Sequence, residues 1–347
     1  MFSFRTTPIE DQLDRALNEG RVGVFCTPNC WNAASGRYLY ETFSSRGTLE
    51  RVFTPEEGHI CFTPEELEGL DAVVVEIQDV GSRYFNYTVD VLRLVSMLCG
   101  LRSEISLYIV DHPNPAGRDV EGTLPAGDAD VWTPAVAHRH GLTLGELVHL
   151  YHSEISASYP LHIVSAYASV TARTLMPWTI PPSDDVSGMF TPYVYCGASL
   201  WKDTTITPAI GTARPYEMFG APFIKSAADP QMPVPDGILM RLCSFTPAFG
   251  PYEGERCFGF QTILLPDSHY HSLLHTVRLM RYFAERYPEF KIREELYTTL
   301  ADPVIAEYLR GGITFDIVEE HVKSEEQRWI RKAKRFILYD DAPCRIK

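Results

Sequence analysis

No run of the 347 residues stays apolar for the roughly eighteen positions that a membrane-spanning helix requires. The start, Met1-Phe-Ser-Phe-Arg-Thr-Thr-Pro8, lacks the charged opening and apolar core of an export signal. The expectation is a cytoplasmic chain with no membrane partner. Basic residues are scarce as well: 31 Lys and Arg stand against 45 Asp and Glu, a net charge of −14, and they cluster only in one late helix. Binding a phosphate backbone needs clustered Lys and Arg, so nucleic acid is set aside as a partner. The eight cysteines (Cys26, Cys30, Cys61, Cys99, Cys196, Cys243, Cys257, Cys344) include no pair at the two-residue spacing of a zinc or redox motif. Reduced, mostly buried thiols are expected.

Glycine-rich phosphate loops are missing too. The turn after the first strand reads Thr27-Pro-Asn-Cys-Trp-Asn-Ala-Ala-Ser-Gly36. A dinucleotide fold would place glycines there so that backbone can approach a pyrophosphate. There is no G-x-S-x-G elbow, no Walker loop and no H-E-x-x-H helix, which disfavours a nucleophilic serine and a catalytic zinc. His112 lacks second and third ligands at useful spacing, and His138 and His140 lack an acid to complete a set. His269, His271 and His275 read as a polar helix start, so no metal and no cofactor are expected.

What is present is ordinary globular composition, 45% apolar and 22% charged, over a length sufficient for two domains. The first half alternates helix-like and strand-like segments. Ile9, Leu13, Ala16 and Leu17 recur at helical spacing before Gly20, and Val22 to Cys26 reads as a strand. Thr63-Pro-Glu-Glu66 has the form of a capping box ahead of the strand Ala72 to Val75. A helix from Asn86 to Cys99, a strand from Ile105 to Val110, a second capping box at Thr143 to Glu146 and a strand from Leu161 to Val164 follow. That β-α-β order implies a parallel sheet with helices on both faces. The stretch from Pro177 to Pro192 is dense in Pro, Ser, Asp and Gly, which sets a domain boundary near residue 190. Beyond it, a core strand from Cys257 to Leu265 lies between the chain's middle and two helices, one marked by Leu273, Val277, Met280, Ala284 and Tyr287 and one from about Ile317 to Phe336. The reading is α/β: a Rossmann-like parallel-sheet domain over residues 1–190 and a smaller α+β domain over residues 191–347.

Polar residues concentrate where strands end. Val52-Phe-Thr-Pro-Glu-Glu-Gly58 puts Glu56 and Glu57 on a loop that is either a solvated acidic turn or a catalytic edge. Glu76-Ile-Gln-Asp-Val-Gly-Ser-Arg-Tyr84 follows an apolar strand, and its Asp79 and Arg83 either pin the loop as a pair or meet a substrate. Asp111-His-Pro-Asn-Pro115 uses two prolines to fix an extended path that presents Asn114 and then Glu121. In an open α/β sheet, ligands bind in the crevice beyond these strand ends.

Taken together, Thr54 to Gly58, Glu76 to Tyr84, Asp111 to Pro115, Glu121-Gly122, Arg139 to Leu147 and Gly220-Ala-Pro-Phe223 resemble the exo-β-N-acetylmuramidase (NamZ-like) family in order and spacing across most of the chain. The resemblance implies a cleft between two domains and a small muramic-acid-containing sugar as partner. It also implies a glycosidase releasing N-acetylmuramic acid from the non-reducing end of peptidoglycan fragments, as in cell-wall recycling, without metal or nucleotide. Glycoside hydrolysis needs two carboxyl groups, and Glu56 and Glu121 are the candidates. Asn29, Gln78, Asp79, Arg83, Tyr84, Asn114 and His140 are the candidate sugar-binding residues, with Arg83 or His140 as the cation for the lactyl carboxylate. Three positions depart from the family pattern. Glu57 replaces a histidine, Lys202-Asp-Thr-Thr205 replaces Glu-Gly-Thr-Asn, and Thr207 to Thr212 replaces Ser-Glu-Gly-Arg-Gly-Thr. These departures keep a second reading open, a carbohydrate-binding paralogue with impaired turnover and altered sugar specificity.

Overall fold

A computed structural model of the chain describes residues 9, 13, 18, 20–32, 35–101, 105–126, 135–166, 178–224, 231–266, 269–339 and 345–346. Its strands are β1 (Val22–Cys26), β2 (Leu49–Phe53), β3 (Pro55–Glu56), β4 (His59–Ile60), β5 (Ala72–Glu76), β6 (Ser106–Asp111), β7 (Asp119–Val120), β8 (Leu161–Ser165), β9 (Met218–Ala221), β10 (Ile238–Phe245), β11 (Cys257–Leu264) and β12 (Arg345–Ile346). The α-helices are α1 (Leu39–Arg46), α2 (Pro64–Leu67), α3 (Asn86–Gly100), α4 (Leu144–Glu154), α5 (Thr191–Ala198), α6 (Ser272–Arg286), α7 (Glu295–Leu300), α8 (Pro303–Arg310) and α9 (Phe315–Ala333). The helix expected over residues 9–17 lies outside the described residues except at Ile9 and Leu13.

The central sheet has the order β2-β1-β5-β6-β8, and every pair in it is parallel. Strands β1 and β5 are buried along their whole length, as expected of strands covered on both faces. The strand order reverses between β1 and β5, which puts the topological switch point beside Asn29 and Glu76. Helix α3 buries Val91, Leu92, Leu94, Val95 and Leu98 against the sheet. Each such side chain contributes on the order of 1.5–3 kcal/mol when fully buried.

Both capping boxes form. Thr63 accepts from the Glu66 amide while Glu66 accepts from the Thr63 amide, and Thr143 and Glu146 do the same at the start of α4. A second sheet, ordered β10-β11-β9 and antiparallel throughout, carries the later part of the chain; its Phe219 meets Phe283 of α6, and its Ile238 clusters with Val194 of α5. The fold is therefore α/β with a separate antiparallel unit. The two parts are bolted together. Trp329 of α9 donates to the His140 carbonyl at 2.8 Å, and Arg83 donates to the carbonyls of Thr299 and Leu300 at 3.3 and 2.6 Å. No helix among the described residues is long and apolar enough to cross a membrane. All the described cysteines are free thiols, with Cys26, Cys30, Cys196 and Cys257 buried and Cys61 and Cys99 exposed.

Candidate functional site: a cleft between the two units

The acidic loop after β2 folds into a small hairpin. Glu56 pairs with His59 across β3 and β4, and Glu57 and Gly58 form the two-residue connection with φ of 49° and 81°. Two positive φ values in sequence are the signature of the tight turn that matches strand twist, and glycine satisfies the second without strain. The hairpin is docked on the start of α3. Asn86 Nδ2 donates to the Gly58 carbonyl at 3.1 Å, and the buried Asp90 carboxylate accepts from the Ile60 amide at 2.8 Å while facing His59 Nδ1 at 3.3 Å.

This hairpin borders two hollows. Glu56, Glu57, His59, Asp90 and Arg93 line one, an open groove of about 610 Å3. Gly58 lines the other, a cleft of about 250 Å3 shared by both units, with Asn86 and Tyr87 from α3, Ser183, Asp184 and Asp185 from the inter-unit segment, Tyr195 from α5, Lys202 and Phe249. Asp185 is one of two aspartates that line this cleft. The Tyr216 hydroxyl donates to its Oδ2 at 3.5 Å. Burial, and then the nearby aspartates 184 and 185, raise the Tyr87 phenol, while Tyr195 and Tyr216 are raised by their own burial and by Asp185. Tyr87 and Tyr195, which line the cleft, and Tyr216, which hydrogen-bonds Asp185, are thus held as protonated phenols. Lys202 extends over the Tyr216 ring, its Nζ 5.2 Å from the ring centroid. Loss of hydration lowers the Lys202 ammonium from its usual range, although Asp185 and Asp203 oppose the shift.

The expected catalytic pair does not converge. Glu56 is exposed and lies on the wall of the outer groove, whereas Glu121 is 0% exposed. Glu121 accepts from Arg139 Nη1 at 2.9 Å, from Ser272 Oγ at 2.7 Å and from the Leu273 amide at 3.0 Å, and it faces His271 Nδ1 at 3.5 Å. Burial pushes its carboxyl up, but His271 and Arg139 outweigh that and hold it below the ordinary range. This carboxylate is enclosed by protein and does not face solvent. Its position is that of an anion at the N-terminus of α6, tying the two units together.

The candidate binding residues after β5 and β6 do gather, but around one another. Asp79 accepts from Thr88 Oγ1 at 2.6 Å and from the Gly81 amide at 2.9 Å, and pairs with His140 Nε2 at 3.2 Å. Asp79 therefore pins its loop through His140 and Thr88, and the anticipated pairing with Arg83 does not form. Arg83 spends its guanidinium on the carbonyls of Thr123, Val136, Thr299 and Leu300 and stacks near Tyr84. Gln78 donates to the Asp79 and Pro113 carbonyls at 2.8 and 3.0 Å, and Asn114 donates to the Leu142 carbonyl at 2.8 Å. His140 is fully buried, and Tyr84 contacts His138 through its hydroxyl. Asn29 sits apart at the end of β1, half-buried, accepting from Thr27 Oγ1 at 2.9 Å. Arg83 and His140 are consequently not available as the cation for a sugar carboxylate. The cleft also collects Asp184, Asp185, Tyr87 and Tyr195, which the sequence reading did not single out. The signal was the acid pair inside the Pro- and Ser-rich segment near residue 190, a place where a boundary and a cleft coincide.

Two family models match the chain. The exo-beta-N-acetylmuramidase NamZ N-terminal model covers residues 57–187, and the C-terminal model of the same enzyme covers residues 193–339. A curated relative, the peptidoglycan beta-N-acetylmuramidase NamZ of Bacillus subtilis, is 26% identical over 291 residues, which span 80% of this chain and 69% of the relative. Two solved structures of DUF1343 family proteins from Bacteroides fragilis share the fold. One has a TM-score of 0.77 at 19% identity over 96% of this chain and 98% of its own. The other has a TM-score of 0.79 at 18% identity over 96% and 97%.

Proposed function

The chain belongs to the exo-β-N-acetylmuramidase NamZ family, and on that footing we propose that it is a glycosidase that releases N-acetylmuramic acid from the non-reducing end of peptidoglycan fragments. The cleft shared by the two units is the sugar site in this reading. Residues 1–190 supply the hairpin and α3, and residues 191–347 close the cleft from the other side. The observation that carries the proposal is the placement of that cleft, which collects two aspartates, a lysine and tyrosine side chains from both matched regions.

A glycosidase needs one carboxyl group to protonate the leaving oxygen and a second carboxylate to attack the anomeric carbon or to activate water. Glu56 is one candidate, because the family resemblance places the motif glutamate there and because the hairpin that holds it borders the cleft. Asp185 is the second, taking the role first sought in Glu121. The Tyr216 hydroxyl keeps Asp185 oriented. Turnover of a chromogenic N-acetylmuramide tests the assignment: Glu56→Gln and Asp185→Asn are each expected to lose roughly 10²-fold or more in kcat. Full retention in either variant removes that residue from the chemistry.

The enclosure of Glu121 and the lysine at position 202 favour a second reading, a carbohydrate-binding paralogue with impaired turnover and altered sugar specificity. It predicts saturable sugar binding with no product from the parent chain.

A further inference from the structure

We propose that Phe249 is the stacking platform of the cleft, a specificity-determining residue that holds a pyranose by the bare C–H face of its ring. This rests on the cleft being the sugar site, as proposed above. Phe249 lines the cleft from the second unit and is 55% exposed. The other aromatic side chains of the wall, Phe85, Tyr87 and Tyr195, are buried, and Phe85 meets Tyr87 and Tyr195 edge to face at 5.0 and 6.3 Å between ring centroids. Among the described residues the Phe249 ring has no aromatic or cationic partner. A single exposed phenylalanine is ordinary on a protein surface, but this one stands at the mouth of a polar cleft on a backbone that fixes its place.

The loop that carries Phe249 is held from beneath. The Ala248 amide donates to the Gly211 carbonyl at 2.8 Å, the Gly254 amide to the Pro247 carbonyl at 3.0 Å, and the Tyr252 hydroxyl to the Thr205 carbonyl at 2.7 Å. Gly211, with φ of 81°, comes so near that a Cβ there would stand 2.4 Å from the Phe249 carbonyl oxygen and 2.8 Å from its amide nitrogen. Only glycine allows that approach. Ile210, where the family pattern has arginine, lies against the same loop, its Cγ2 3.6 Å from where a Gly250 Cβ would be. An apolar side chain thus supports the platform in place of a charge. A loop so anchored has little freedom to lose when a ring settles on it, so contact is returned as affinity. In a pyranose with equatorial substituents, the axial C–H bonds of one face form an apolar patch that lies flat on a phenyl ring and removes both surfaces from water. Asp184, Asp185 and Lys202, in the same wall, then meet the hydroxyls at the sugar's edge.

The experiment titrates N-acetylmuramic acid into the parent, Phe249→Ala and Phe249→Tyr by calorimetry and follows the sugar's C–H resonances by NMR, with thermal melting as a check of folding. Stacking on the parent should move the axial C–H resonances upfield, and Phe249→Tyr should keep both that shift and the affinity within about threefold. Phe249→Ala should lose the shift and bind roughly tenfold or more weakly. An unchanged affinity in a folded Phe249→Ala, a parent that binds the sugar without the upfield shift, or a parent that does not bind it, overturns the proposal. Turnover of a chromogenic muramide with KM unchanged in Phe249→Ala would defeat this proposal and leave the hydrolase reading standing. Binding that depends on Phe249 without turnover would do the reverse.

Discussion

At the scale of single residues, a side chain's neighbours decide whether a motif glutamate does chemistry or holds the fold. Glu121 follows a strand end in a family motif, yet both its oxygens are engaged and it faces Arg139 and His271. Removing one partner of a buried ion pair typically costs about 3–5 kcal/mol, because the other charge stays buried. Glu121→Gln keeps the shape and loses the charge beside Arg139, whose remaining acidic neighbour, Asp119, is 3.6 Å away. The expected outcome in urea titration is a midpoint lowered by a stability loss of that order with an unchanged m-value. Turnover or sugar affinity per folded molecule should stay within a few-fold of the parent. An abolished turnover with an unchanged midpoint would instead restore Glu121 to the reaction.

At the scale of elements, the hairpin β3-β4 is too short to hold itself, since an isolated two-stranded ribbon is marginal in water. Its position comes from α3: Asp90 accepts from the Ile60 amide and faces His59 and Arg93, and Asn86 holds the Gly58 carbonyl. Asp90→Ala is therefore expected to cost about 1–3 kcal/mol in stability through the unsatisfied amide and to let the hairpin drift. Its effect on kcat with a chromogenic muramide should exceed its effect on KM, because Glu56 moves while the cleft wall at Lys202 and Asp185 stays. Equal losses in both parameters would place the hairpin's role in binding. Elements of this kind divide what the chain discloses from what it hides. The all-apolar run Ala72 to Val75 and the capping boxes at Thr63 and Thr143 are local signals, and each formed as read. The antiparallel pair was legible only in its inner member. Strand β11 is largely apolar, whereas β10 alternates with exposed Arg241 and carries few buried side chains. Site residues were hardest, because the motif's polarity gives no sign of which way a side chain turns. The partners that settle it lie far along the chain, 151 positions from Glu121 to Ser272 and 217 from Arg83 to Leu300.

At the scale of the molecule, the two units share a buried charge network whose protonation sets their coupling. Glu121 on one side meets His271 at the start of α6, and His271 Nε2 faces Glu326 of α9 at 2.8 Å, while Glu326 also accepts from the Gly122 amide at 2.8 Å. Burial opposes the charged imidazole, but Glu121 and Glu326 outweigh it and raise His271 above its ordinary range. A group with a raised folded pKa contributes stability that is full below its unfolded value, near 6.5, and is lost as pH rises through the folded value. Glu121 acts in the opposite sense. Its folded pKa is lowered, so its contribution is present above the ordinary carboxylate range and is lost in acid. Other shifted groups titrate around the window of the measurement. Asp111, raised to about 6 by burial, acts below about pH 7, His138 and His275, both lowered by burial, add stability as pH rises through their unfolded value near 6.5, and the raised thiols of Cys30 and Cys196 act above about pH 8. These contributions are common to the parent and His271→Gln, so between about pH 6.5 and 8 the urea midpoint of the parent should fall with rising pH relative to that of His271→Gln, which should be the less stable of the two at pH 6.5. The same slope in His271→Gln would show that the proton is taken up elsewhere.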